Sequence, residues 1–149
     1  MTLEEKSKLD YWLAVNIMGY APTEDPDDFT ETAQTLVWMR PGRPESEFPR
    51  PFYGESYFVR SAEKHSHTWR FYNPSENAVL AMQVLGEILK DGVVLTEMLE
   101  SNGLFNIVGS RPSELIYGVN ETGETISLAI CLFAKKIYVK QSCRLNKNI

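Results

Sequence analysis

The stretch ETISLAICLFAKKIYVK, residues 124–140, restricts the fold more than any other part of the chain. Read at 3.6 residues per turn, Ile126, Ala129, Ile130, Phe133, Ala134 and Ile137 form one broad stripe. Leu128, Cys131 and Leu132 widen it until most of the circumference is apolar. A helix of that kind must be covered by other elements, so it predicts a helix docked on a sheet. Thr125 reads as its N-cap. Lys135, Lys136 and Lys140 fall near the end of the apolar run, where their charges would complement the helix dipole.

Composition supports such a core. The 149 residues are 43% hydrophobic and 23% charged, in the range of one folded domain, and the expectation is a single domain over residues 1–149. The net charge of -5 is unevenly placed. Eight acidic residues lie between Glu4 and Glu31 against Lys6 and Lys8, whereas every charged residue after Glu124 is basic. This balance disfavours binding to extended duplex DNA and leaves a phosphate contact open. Cys131 reads as a buried thiol and Cys143 as part of a loose basic tail, and their spacing makes no zinc or CxxC pattern. Glu4 and Glu5 stand where a signal peptide would want positive charge, and no apolar run is long enough to span a membrane.

Start and stop signals place the remaining elements. Thr2 and Glu5 form a capping box, after which Leu3, Leu9, Trp12, Leu13, Val15, Ile17 and Met18 supply an apolar face as far as Gly19. Residues 21–28, with Pro22, Pro26 and an acidic cluster, read as a loop. Asp25, Asp27 and Asp28 lack the glycine and terminal glutamate of a calcium loop. Residues 35–72 read as a Pro-, Arg- and aromatic-rich insertion. It holds short extended pieces at 35–39, 57–59 and 68–72, and Pro41, Pro44, Pro49 and Pro51 break the run between the first two. A second helix is predicted to start at Asn73, with Pro74 in its first turn and Glu76 as capping partner. Its stripe is Ala78, Met82, Leu85, Ile88 and Leu89, broadened by Val79 and Ala81, and it stops at Asp91 and Gly92. Runs at 93–99, 104–108 and 115–119, with Ser101, Asn102 and Gly103 as a hairpin turn, predict a small antiparallel meander.

In this order the phrases LDYWLAVNIMGY, FYNPSENAVLAMQVLGEI and ETISLAICLFAKKI resemble the small phage and prophage proteins that carry the phage ABA sandwich domain. The match runs through Leu9, Asp10, Ala14, Met18 and Gly19, then Tyr72, Pro74 and Ser75, then Leu128, Ala129, Ile130, Cys131, Leu132, Ala134 and Lys136. Tyr20 stands where the family more often has tryptophan, and Lys135 where it has a small or apolar residue. The resemblance implies an α+β fold, a small antiparallel sheet packed with helices in a three-layer alpha-beta-alpha arrangement. It also implies a phage context and the cytoplasm of an infected bacterial host. It supplies no catalytic residues and no cofactor.

Chemistry must therefore be read from the residues. His65 and His67 are two apart, with Trp69 and Phe71 at the same alternation. Asp27, Asp28, Glu55 and Glu63 are only compositional candidates for a further ligand, so no metal is assigned. Ser56, Ser61 and Ser66 stand in no GxSxG, and neither GxGxxG nor a P-loop is present. What remains is a set of cations and aromatics suited to a negatively charged aromatic ligand: Arg40, Arg43, Arg60, Arg70, Trp69, Tyr57, His65 and His67. The leading expectation is a non-enzymatic phage accessory protein that sequesters a phosphate-bearing nucleotide signal, in a homo-oligomer. Two alternatives stay open. One is an inhibitor that binds a host defence protein through the acidic patch at Asp27 and Asp28, and the other is a metal-dependent phosphoesterase using the histidine pair.

Overall fold

A computed structural model describes residues 1–23, 35–40, 56–60 and 69–147, and shows a small α+β fold. The described chain forms two compact units, Met1–Asn73 and Pro74–Ile149. The acidic loop at Asp25 to Asp28, the four prolines of 41–51, and the histidines lie outside the described residues.

In the N-terminal unit, helix α1 (Leu3–Asn16) begins as its sequence predicts. The Glu5 amide donates to Thr2 Oγ1 at 3.1 Å, and the Thr2 amide donates to Glu5 Oε2 at 2.9 Å. It closes at Gly19, whose φ of 71° only glycine adopts without strain, and the Tyr20 amide donates to the Ala14 carbonyl at 2.9 Å. The buried face is narrower than the apolar pattern implies: Leu9, Asp10, Leu13 and Ala14 are buried, whereas Leu3 is exposed. Leu3 belongs to the first turn, where no neighbouring turn precedes it to complete a packed face. The helix packs against two strands of a sheet with order β1-β2-β3-β4, made of Ala21–Thr23, Leu36–Arg40, Ser56–Arg60 and Trp69–Phe71. The three extended pieces expected between 35 and 72 are thus strands. The loop expected over 21–28 instead begins with β1, which pairs parallel with β2. Pro22 is tolerated there because β1 is an edge strand.

In the C-terminal unit, helix α2 (Ala78–Lys90) is capped by Asn77, whose side chain accepts from the Leu80 amide at 3.2 Å, and not by Asn73. Both asparagines are competent caps locally. Residues 74–76 form a turn in which Pro74 and Ser75 are buried, and that packing delays the helix by one turn. At its other end Gly92 takes φ 93°, the Val93 amide donates to the Ile88 carbonyl, and the Gly92 amide to that of Leu89, which together make a Schellman cap. The buried stripe is Ala81, Val84, Leu85 and Ile88. Met82 and Leu89, expected inside, are exposed together with Val79. The sequence pattern permits either face inward, and α2 turns the β-branched and small one toward its neighbour, α3.

The expected meander is present as β5 (Val94–Ser101), β6 (Leu104–Arg111) and β7 (Ile116–Gly123), paired antiparallel in that order. Asn102 at φ 54° and Gly103 at φ 77° make the two-residue hairpin between β5 and β6. A 3₁₀ turn, Pro112–Glu114, joins β6 to β7, and Leu115 follows it in the left-handed region, so β7 starts one residue later than expected. Helix α3 (Ile126–Lys147) is capped by Thr125, whose Oγ1 accepts from the Leu128 amide at 3.1 Å. It lies across β6 and β7, and α2 packs along it. Leu128, Ala129, Ile130, Cys131, Phe133, Ala134 and Ile137 are all buried, as a helix apolar round most of its circumference requires.

Two readings of this helix change. It runs on through Cys143 to Lys147, so the tail expected to be loose is helical as far as that residue. Lys135 and Lys136 therefore sit mid-helix, beyond the last turn in which a helix dipole acts. Lys136 instead donates to the Asn120 carbonyl at 2.7 Å and lies 3.7 Å from the Glu121 carboxylate, tying α3 to β7.

Candidate functional site

The residues expected to bind an anionic ligand concentrate on the N-terminal sheet. Arg40 ends β2, Tyr57 and Arg60 lie in β3, and Trp69 and Arg70 lie in β4. Pairing sets Arg60 level with both Leu36 and Trp69, Met39 level with Tyr57, and Val59 level with Arg70. The β3–β4 ladder therefore sets Arg60 and Trp69 side by side on one face, while Arg70, one residue further along β4, belongs to the other face. Tyr57 and Arg40 sit at the other end of β3 and β2. Arg70 is exposed. Arg43, His65 and His67 lie outside the described residues. At the border of this sheet Tyr20 and Tyr72 meet edge to face, with ring centroids 5.7 Å apart and planes at 72°, and Tyr72 is buried.

A second cluster was not expected from the sequence. Asp91 follows α2, Arg111 ends β6, and Tyr138 projects from α3. Arg111 Nη2 donates to Asp91 Oδ2 at 2.6 Å, and the Tyr138 hydroxyl donates to the same oxygen at 2.5 Å. The Arg111 guanidinium carbon lies 4.5 Å from the centre of the Tyr138 ring, a cation–π contact. One signal was available. Arg111 continues the alternation of buried Ile107 and Gly109, and an inward-phased arginine requires a nearby carboxylate. Nothing in the sequence identifies which carboxylate, because Asp91 is twenty residues away.

Electrostatically this is a clamp. Asp91 matches the arginine's charge, and the phenol is held protonated well above its ordinary range, first by burial and then by its hydrogen bond to the Asp91 carboxylate. A matched cation and a phenol that resists ionisation make poor acid–base machinery, whereas the contacts join α2, β6 and α3. Among the described residues no group of three or more His, Cys, Asp or Glu side chains is arranged to hold a metal ion. No helix of the described residues is long and apolar enough to cross a membrane.

The raised phenol has a definite pH consequence. The unfolded chain ionises Tyr138 near pH 10, while the folded chain keeps it protonated to higher pH. Its contribution to stability is therefore complete below pH 10 and is lost as pH rises above it. Urea denaturation from pH 8 to 11 should show a falling midpoint that flattens in Tyr138→Phe. The substitution itself should cost about 1 kcal/mol at neutral pH through the lost hydrogen bond. An identical alkaline slope in both proteins would remove Tyr138 as its source.

Comparison with protein-family models, curated proteins and solved structures finds no match to this chain. The likeness to phage ABA sandwich proteins consequently rests on the quoted residues alone.

Proposed function

We propose that the protein is a non-enzymatic binding protein whose N-terminal unit captures a phosphate-bearing nucleotide. Support comes chiefly from the β3–β4 ladder, where Arg60 and Trp69 are register partners and so share one face of the sheet. A cation beside an aromatic on adjacent strands suits a ligand with both a phosphate and a base. Arginine pairs bidentately with the phosphate, and an aromatic ring stacks on the base at about 1–3 kcal/mol per base. On the face that Arg60 and Trp69 share, Arg60 takes the phosphate and Trp69 the base, with Arg40 in phase with them on β2. Arg70 and Tyr57 are out of phase with that pair and lie on the opposite face of the sheet, and Arg43, His65 and His67 lie outside the described residues. Sequestration of a nucleotide immune signal by a phage accessory protein is the biological role this binding would serve, and the phage setting comes from the family resemblance.

Isothermal titration calorimetry with cyclic and linear nucleotides tests the reading. Saturable heat is expected for at least one of them, weakened at least about tenfold by Arg60→Ala, a loss of the size of one charge-assisted hydrogen bond, and little changed by Arg70→Ala on the opposite face. Circular dichroism of both variants should match the parent. Absence of heat for every nucleotide would sink the proposal, as would binding that Arg60→Ala leaves unchanged.

A further inference from the structure

Helix α2 carries an apolar seam on the side away from its buried stripe. Val79, Met82, Gly86 and Leu89 follow one another at intervals of three, four and three residues, the a/d spacing of a two-helix seam. Val79 is 69% exposed, Met82 55% and Leu89 43%. Gly86 leaves open space in the middle of this face, since a Cβ built there meets nothing within 4 Å. A mid-helix glycine costs about 1 kcal/mol relative to alanine and here relieves no crowding within the chain.

We propose that this seam is the interface of a two-fold dimer in which α2 of one copy packs antiparallel on α2 of a second copy. The seam is complementary to itself only in that direction. A dyad at the level of residue 84 sets Val79 level with Leu89 of the other copy, and Met82 level with Gly86 of the other copy. The longest side chain of the face thus meets its notch, twice over. In antiparallel seams a positions pack against d positions, which is the pairing obtained. Charge agrees. Exposed Lys90, which lies 3.4 Å from Glu87 of its own helix, comes near the turn holding exposed Glu76 at the start of the other copy's helix, so opposite charges are set together, and the helix dipoles oppose. A parallel pair would instead stack Glu76 on Glu76, Lys90 on Lys90 and one glycine gap on the other.

Sedimentation velocity on the full chain, over a concentration series, is the primary test. A reversible monomer–dimer equilibrium is expected, with Met82→Glu or Gly86→Leu raising the dissociation constant at least about tenfold. Met82 is exposed, so the glutamate variant should keep the parent's circular dichroism. A parent that stays monomeric throughout overturns the proposal, as does a dimer indifferent to both substitutions. Orientation is read by oxidative cross-linking in a Cys143→Ser background. The double variant Val79→Cys, Leu89→Cys should form covalent dimers while each single variant does not. Single variants that cross-link as readily as the double would overturn the antiparallel arrangement.

Discussion

Replacing Gly123 with alanine should destabilise the protein by about 3 kcal/mol, at the upper end of the usual cost of overpacking. A Cβ at this position would lie 2.6 Å from the backbone nitrogen of Ala129, 2.9 Å from its Cα and 3.1 Å from the carbonyl carbon of Leu128. All three atoms belong to the backbone around the first turn of α3. No side-chain rotation can relieve the clash, so the helix must move off β7 and disturb the packing of Leu128 to Ile137. Gly123 is thus required for its lack of bulk at a strand–helix contact. Gly109 meets a similar limit, with Phe133 Cζ at 2.7 Å and the Val94 carbonyl oxygen at 2.8 Å from a Cβ placed there. Chemical denaturation of Gly123→Ala provides the check. A loss below about 1 kcal/mol, the centre of the range for ordinary point substitutions, would mean that α3 shifts freely and the close approach is not constrained.

Asp91→Ala should cost about 2–3 kcal/mol. Removing one partner of a fully buried ion pair costs about 3–5 kcal/mol because the other charge is stranded. Here the Arg111 side chain is only 8% exposed, but that of Asp91 is 53% exposed, so water reaches part of the pair and the cost falls below that range. The substitution also removes the acceptor for Tyr138. If stranding of the arginine is the cause, Arg111→Met in the Asp91→Ala background should recover most of the loss. A double-mutant cycle on urea midpoints should then give a coupling of about 1–3 kcal/mol. Additive effects of the two substitutions would mean that the pair contributes little and that the loss arises at the helix end.

Much of the fold was legible because its signals are local. Thr2 with Glu5, Thr125 with the amide of Leu128, Gly19 and Gly92 beyond helix ends, and Asn102–Gly103 in a hairpin each act within a few residues. All of them recur in the structure. Legibility failed where two local solutions were nearly equal. Asn73 and Asn77 are both good caps, and burial of Pro74 and Ser75 selects the second. The stripes through Met82 and through Val84 are both apolar, and the packing of α2 along α3 decides between them. The polar sequence after Val139 gives no sign that the helix continues and so puts Lys136 near its end, whereas the structure carries the helix to Lys147 and pairs the lysine with Glu121.

The candidate ligand residues divide along the same line. Composition and charge marked Arg60, Trp69 and Arg70 as unusual, but only strand pairing makes Arg60 and Trp69 neighbours across a ladder. The clamp of Asp91, Arg111 and Tyr138 is not legible in the sequence because its members are separated by twenty residues and more, with no motif linking them.

By itself the sequence determined most of the helices and strands, though not β1 or the last turns of α3, and that the last helix must be covered, because caps, turns and apolar periodicity depend on neighbours a few residues away. Tertiary structure alone decided which face of α2 is buried, which carboxylate answers Arg111, and why Gly123 cannot be larger. Each depends on a contact between distant segments, whose free energy exists only after the chain has brought them together.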